Sequence, residues 1–388
     1  MPFMGTHKKL LIRVPTRGYP YGNIMYSNEL KALKKAGRFR ERKLFEDDLD
    51  DMASNDYLGL SNNKKQFNKA VKLVKKYETL TSKASMLVNG YHPIHKQFEE
   101  TMAKQNGFEE GLIVGSGYLA NMALIEALVR KGDMLFMDEE YHASGVMAAE
   151  LLGDRVVKFR HNDVEDLRQK LAQYPAKRQI IVVEGVYSMG GDLCSEGIFG
   201  LADEVKAIMI VDEAHSAGVL GEKLLGIFEH YGIKINERHI KMGTLGKAYG
   251  SYGAYILSSS NIVSFLVNRG KPIIYSTAPS VFDTALALVN MKHIQKYVKK
   301  YRKKINKRQA LASLMLEKEC KSLIVPIAMG DNSSTLEIQN ELLEYGYLVG
   351  AIRQPTVKTP MMRLILNVGV SMKKMIHTIA LIRENSVQ

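Results

Sequence analysis

The run AIMIVDEAHSAG at 207–218 decides the fold. Its opening residues are apolar whichever way a strand turns them. Such a strand must be covered on both faces, as strands of parallel sheets are. Asp212 ends the apolar run and His215 follows three residues later. An acid at the end of a buried strand is costly unless a donor or a cation meets it. In open α/β sheets, ligands bind at these carboxyl ends.

The same pattern extends in both directions. GLIVG (111–115), MLFMD (134–138), VVKF (156–159), QIIVVEG (179–185), HIKMGT (239–244) and GAYILS (253–258) read as strands. Between them, YLANMALIEALVRKG (118–132) reads as a helix ending at its glycine, a second helix lies near 144–152, and Asp163 caps VEDLRQKLAQY. Strand–helix alternation of this kind gives a mainly parallel α/β sheet covered by helices. After about residue 280 the pattern changes. A long helical region (280–319), SLIVPIAMG, a helix near 334–345, YLVGAI, MRLILN and a last helix (372–384) suggest a smaller α+β domain. The expected division is a basic, largely helical lead-in at 1–50, a large domain at 51–282 and a small domain at 283–388.

Composition is that of a globular protein, 46% hydrophobic and 24% charged over 388 residues. No apolar run reaches the roughly 18 residues that span a bilayer. Residues 1–22 are basic but carry no long apolar core and no clear amphipathic period, so no secretory or import signal is read there. Two scattered cysteines, Cys194 and Cys320, make neither a disulfide framework nor a zinc site, and fit a reducing cytoplasm. The formal net charge of +13 is concentrated at 31–43, 64–76 and 296–308. The last two runs have helical spacing and read first as solvated helix faces, or else as docking sites for an anionic substrate carrier. No zinc-finger or RNA-recognition signature accompanies them, so nucleic acid is not an expected partner.

The residues with chemical potential lie at the strand ends. GSGYLAN (115–121) joins a strand to a helix, where bare backbone and free N–H groups suit a phosphate, although a plain turn uses the same residues. Asp212 suits either a protonated heteroaromatic nitrogen or Mg²⁺, and no P-loop lysine supports the latter. TLGKAYGSYG (244–253) places Lys247 among small residues after a strand. A lysine in a partly dry site becomes a nucleophile and a base, although most lysines in Gly-rich loops lie on the surface. His142 in DEEYHAS and Ser188 in EGVYSM follow two further strands.

Taken together, these motifs resemble fold-type I enzymes that use pyridoxal 5'-phosphate (PLP), and among them the α-oxoamine synthase family. SNDYLGLS (54–61), GSGYLAN, HND (161–163), EGVYSMGGD (184–192), VDEAHSAGVLG (211–221), GTLGKAYGSYGAY (243–255), IIYSTAP (273–279) and AIRQPTV (351–357) occur in the family's order over about 300 residues. The resemblance implies a decarboxylative condensation of an amino acid with an acyl thioester. SNDYLGLS, YSTAP and AIRQPTV point within the family to L-alanine and a pimeloyl thioester of coenzyme A or a carrier protein. Glycine with an acetyl donor, serine with a long-chain donor, or the synthesis of an aminoketone signal would share nearly all of these motifs.

By the same resemblance, Lys247 would hold PLP as a Schiff base and His142 would stack on its ring. Asp212 would meet the ring nitrogen, with Ser188 and His215 close by. Gly117 and Tyr118 would contact the cofactor through the Gly-rich turn, and Thr244 would bind its phosphate. Ser276 and Thr277 would reach a phosphate across a homodimer interface. Asn55, Arg40, Thr356 and Arg363 would bind substrate, Arg363 through a bidentate grip on the amino-acid carboxylate. No metal is implied. The chain departs from the family pattern at Lys83, Ala84 and Met86 in TSKASMLVNG (81–90) and at Gln354 after Arg353, which bears on the acyl substrate.

Overall fold

Eleven strands form in the computed structural model, which describes residues 25–385; the reading of residues 1–22 lies outside the described residues. In chain order they are β1 (Asp50–Met52), β2 (Glu110–Val114), β3 (Met134–Asp138), β4 (Val156–Phe159), β5 (Gln179–Glu184), β6 (Ile208–Asp212), β7 (His239–Thr244), β8 (Ala254–Ser258), β9 (Ile324–Ala328), β10 (Tyr347–Ile352) and β11 (Met361–Ile365). The chain gathers into two compact units. The larger is Asn55–Val325 with Leu366–Gly369, and the smaller comprises the described residues up to Ser54, Pro326–Ile365 and those from Val370 onward.

In the larger unit, seven strands pair in the order β2-β8-β7-β6-β5-β3-β4. Only β8 runs against its neighbours; the β7-β6-β5-β3-β4 run is parallel throughout. Ile180–Val183 of β5 and Met209–Val211 of β6 are 0% exposed, as double-sided covering requires. Burying each such side chain is worth roughly 1.5–3 kcal/mol. The architecture is the mainly parallel α/β sheet that the strand pattern implied.

Three helical readings need correction. The helix after β2 is Gly117–Leu128 and stops before Gly132. The Val129 carbonyl instead accepts from Arg155 Nη1 at 2.9 Å, and the Arg130 amide turns to Asp133 Oδ2 at 2.9 Å. The lead-in is helical only over Ser27–Lys35. Gly37, at φ +64°, turns the chain there, and the Arg38 amide donates back to the Leu33 carbonyl. The region 280–319 is two helices, Val281–Lys296 and Val298–Leu316, broken at Tyr297.

In the smaller unit the sheet order is β1-β10-β11-β9. β1 lies parallel to β10, and β10 antiparallel to β11. Lys374 of the last helix, Met372–Glu384, pairs with Asp50 of β1 at 2.6 Å.

Candidate active site

Parallel strands bring their carboxyl ends to one edge of the sheet. Here β3, β5, β6 and β7 end in Asp138, Glu184, Asp212 and Thr244, and register sets Glu184 beside Asp212. Asp212 is 4% exposed. It accepts from its own turn, Ala214 N at 2.9 Å, and from Asn121 Nδ2 at 3.0 Å. Asn121 stands on the first turns of Gly117–Leu128 and is held in turn. Its Oδ1 accepts from the Tyr141 hydroxyl at 2.8 Å, and its Nδ2 also donates to Ser144 Oγ at 2.9 Å. His142 caps the helix Ala143–Glu150: its Nδ1 accepts the Ser144 amide at 3.2 Å and lies 2.7 Å from Ser144 Oγ. Burial lowers the pKa of this imidazole; Asp212 opposes the shift and Lys247 adds to it. His142 is thus a neutral ring whose Nδ1 acts as an acceptor.

Lys247 Nζ lies 2.8 Å from His215 Nε2, and His215 Nδ1 is hydrogen-bonded to the Tyr57 hydroxyl. The three groups form a chain with two proton arrangements. An ammonium Lys247 donates to Nε2, and Nδ1 then donates to the Tyr57 oxygen. With a neutral amine, Tyr57 donates to Nδ1 and Nε2 donates to the amine. Tyr57 is fully buried and also lies 3.3 Å from Asn55 Oδ1. The small residues around Lys247 have a packing reason. Gly218, at φ +86°, lies where a Cβ would come within 2.5 Å of Ala248 Cβ, so the DEAHSAG turn closes directly on the lysine loop.

The phosphate end rests on two observations. Thr244 Oγ1 is buried and has no hydrogen-bond partner among the described residues. A Cβ on Gly117 would lie 2.6 Å from Thr244 Cγ2, so the N-terminus of helix Gly117–Leu128 packs its bare Cα against the Thr244 side chain. A helix N-terminus, an unclad backbone and an orphaned hydroxyl form a cradle for a phosphate. With a lysine amine and a buried carboxylate nearby, this donor set fits PLP. Glu184 adds a second buried carboxyl. Burial and then the charge of Asp212 hold its pKa well above the usual range, its Oε2 accepts the Ser188 amide at 3.1 Å, and its Oε1 has no partner among the described residues.

A second polar centre stands beside the first. His161 directs Nδ1 to Asp138 Oδ1 at 3.0 Å and Nε2 to Asp192 Oδ2 at 2.8 Å. Two carboxylates can only accept, so both ring nitrogens carry hydrogen and the ring is an imidazolium. Burial works against the charge, but hydrogen bonds to Asp138 and then to Asp192 push the pKa up to about 10. Asp138 also accepts the Tyr187 hydroxyl at 2.8 Å and the amides of Glu140 and Asn162. The loops after β3, β4 and β5, which carry His142, the HND turn and Ser188, are tied together here.

The structure thus gathers Gly117, His142, Asp212, His215, Thr244 and Lys247. Tyr118 begins the same helix with its ring 48% exposed. Among the described residues, neither Ser276, half-buried, nor Thr277, exposed, bonds to this cluster. In the smaller unit, Arg40 Nη2 donates to Thr356 Oγ1 at 3.3 Å, and both line a cavity of about 230 Å³ with Arg38 and Arg353. Arg363 is buried on β11 opposite Gly350. Tyr57, Glu184, Asn121 and His161 were not singled out as site residues, although each lies in a quoted motif. No group of three or more His, Cys, Asp or Glu among the described residues could hold a metal.

The strand-end lysine, carboxylate and phosphate cradle define a fold-type I PLP-dependent enzyme. A family model of aminotransferase class I and II matches residues 47–382, and the chain belongs to that family. Within it the chain is an α-oxoamine synthase, a PLP-dependent acyltransferase. It is 42% identical to the 8-amino-7-oxononanoate synthase of Helicobacter pylori strain 26695, over 90% of this chain and 94% of that one. It is 35% identical to a putative 8-amino-7-oxononanoate synthase of Aquifex aeolicus, over 88% and 93%. Among solved structures, serine palmitoyltransferase from S. paucimobilis shares the fold at a TM-score of 0.84 and 21% identity, over 94% and 98%. The 8-amino-7-oxononanoate synthase of Francisella tularensis matches at 0.74 and 25% identity, over 87% and 98%.

Proposed function

We propose that this chain joins L-alanine to a pimeloyl thioester with loss of CO₂, giving 8-amino-7-oxononanoate for biotin synthesis. A carbon–carbon bond forms between the alanine α-carbon and the acyl carbon, the thiol leaves, and the alanine carboxylate departs as CO₂. The observation that carries this reading is Lys247 Nζ, 2.8 Å from His215 Nε2 in the unit that also buries Asp212. The product named for the relatives, 8-amino-7-oxononanoate, supports this reading.

When bound, PLP supplies the electron withdrawal that loosens bonds at the amino-acid α-carbon. Asp212 aims a buried oxygen at the ring nitrogen, and Asn121 keeps that oxygen in place. His142 offers a neutral flat face to the ring, and Ser188 and His215 lie near its edge. Thr244, Gly117 and Tyr118 hold the phosphate, with Ser276 and Thr277 reaching over from a second copy in a homodimer. Lys247 anchors the cofactor, then takes the α-proton at Nζ and later returns it. His215 and Tyr57 stabilise either charge state of that amine. Arg363 and Asn55 hold the amino acid, while Arg40 and Thr356 hold the acyl end. The cytoplasm is the proposed compartment; no helix among the described residues is long and apolar enough to cross a membrane.

The test is CO₂ release and product formation by the PLP-loaded protein, with alanine, glycine and serine competing for pimeloyl thioester. Preferred use of alanine is the expected result. Preferred use of glycine or serine, or of an acetyl or long-chain donor, overturns the reading.

A further inference from the structure

Two helices of the larger unit contain no acidic residue. Lys64–Val74 carries four lysines, and Val298–Leu316 carries five lysines and two arginines. Lys65, Lys69 and Lys72, and likewise Lys300, Lys304 and Lys307, recur at one-face spacing, where like charges destabilise a helix. The two rows meet at His293. Its Nδ1 lies 2.9 Å from Gln66 Nε2 of the first helix, and its Nε2 lies 3.2 Å from the Tyr301 hydroxyl of the second. Burial and then the charges of Lys69, Lys65, Lys300 and Lys296 lower the pKa of His293, which places four ammonium groups around one imidazole. All four lysines are exposed, and among the described residues none of them has an acidic partner.

This patch borders the catalytic lysine's surroundings. The charge of Asp56 is felt at Tyr301, and Asp56 accepts from Leu60 N at 2.8 Å and Ser61 Oγ at 2.6 Å. Its chain neighbour Tyr57 closes on His215 and so on Lys247. The aromatic rings of the patch pack against other rings of the chain. Tyr301 meets His293 edge-on at 74°, Tyr297 is tilted against the same ring, and Phe67 packs edge-on against Phe282.

We propose that these lysine rows dock an acidic protein that presents the acyl thioester to Lys247. The proposal rests on the thioester reading above. Charge complementarity selects the partner: a surface rich in carboxylates satisfies two unpaired cationic rows, and rim charges of this kind act on encounter and salt dependence.

The test supplies the same acyl group on coenzyme A and on an acidic acyl carrier protein, to wild-type holoenzyme and to the Lys69→Glu/Lys300→Glu variant. With the carrier-bound donor, kcat/KM should fall roughly tenfold or more and lose its salt dependence, while the coenzyme A donor stays within about twofold. Equal losses with both donors, or none with either, overturn the proposal. Salt-sensitive binding of a single-stranded oligonucleotide that the variant loses, with carrier turnover intact, overturns it in favour of nucleic acid. If the wild type turns over neither donor, the thioester reading has failed. Calorimetric binding of the carrier protein alone then decides the docking: binding that the variant loses upholds it, and no binding overturns it.

Discussion

His142 and His161 follow neighbouring parallel strands, β3 and β4, yet they hold opposite charge states. His142 lies in the unit with Asp212 and Lys247, and burial keeps its ring neutral. His161 lies between two carboxylates, which push its pKa up to about 10. Strand-end position alone therefore does not set a role. The neutral ring can lie against a cofactor, while the charged ring ties three loops together. One centre links an amine to an imidazole and a phenol along which a proton can sit either way. The other fixes an imidazolium between two carboxylates.

If that division holds, the largest effects come from the centre that holds the amine. Lys247→Ala should lower turnover by at least about 10³-fold in steady-state assays, since one group serves as anchor and base. Asp212→Asn should cost about 10²-fold in kcat while melting near the wild-type temperature, which separates chemistry from folding. His161→Gln should behave in the reverse way. Stability falls by about 2 kcal/mol in denaturant titration, as when a buried ion loses its partner, and kcat falls less than for Asp212→Asn.

The pH dependence of that loss sharpens the contrast. The folded-state pKa of His161 lies above its ordinary value of 6.5, so its stabilisation is complete below that value and is lost as pH rises through about 10. Asp138 is shifted the other way. Burial alone would raise its pKa, but hydrogen bonds from His161 and two amides hold it below the ordinary value, so its share disappears as the solution turns acid. The melting temperatures of wild type and His161→Gln should differ most between the carboxylate range and about pH 6.5, and should converge as pH rises to about 10. A constant gap across that range would remove the imidazolium from the account. The smallest effect is expected at Tyr57→Phe. It removes one hydroxyl from His215 and should cost only several-fold in kcat/KM, about 1 kcal/mol, with a shifted pH profile.

Much of the site was legible because each residue breaks a pattern. Asp212, Thr244 and Asp138 end apolar strands, and Gly117 and Lys247 stand among small residues where strands give way to loops. Partners chosen by tertiary packing were not legible. Tyr57 meets His215 across 158 residues of sequence, from a segment without periodicity. Asn121 reaches Asp212 only because of the phase of its helix. β1, three residues long, shows no alternation and gains its pairing from β10, nearly 300 positions away. The helix ends were misplaced where side chains intervened, as Arg155 and Asp133 do after Leu128.

The central claim is that Lys247, and no other lysine, anchors the cofactor. Buried Lys241 is the instructive competitor: it is spent on Asn106 Oδ1, the Leu225 carbonyl and Glu213. Borohydride reduction of the PLP-loaded protein, followed by peptide mass mapping, tests the claim directly. The expected result is a pyridoxyl adduct confined to the peptide containing Lys247. An adduct on Lys241 or on a surface lysine, or none at all, would contradict it.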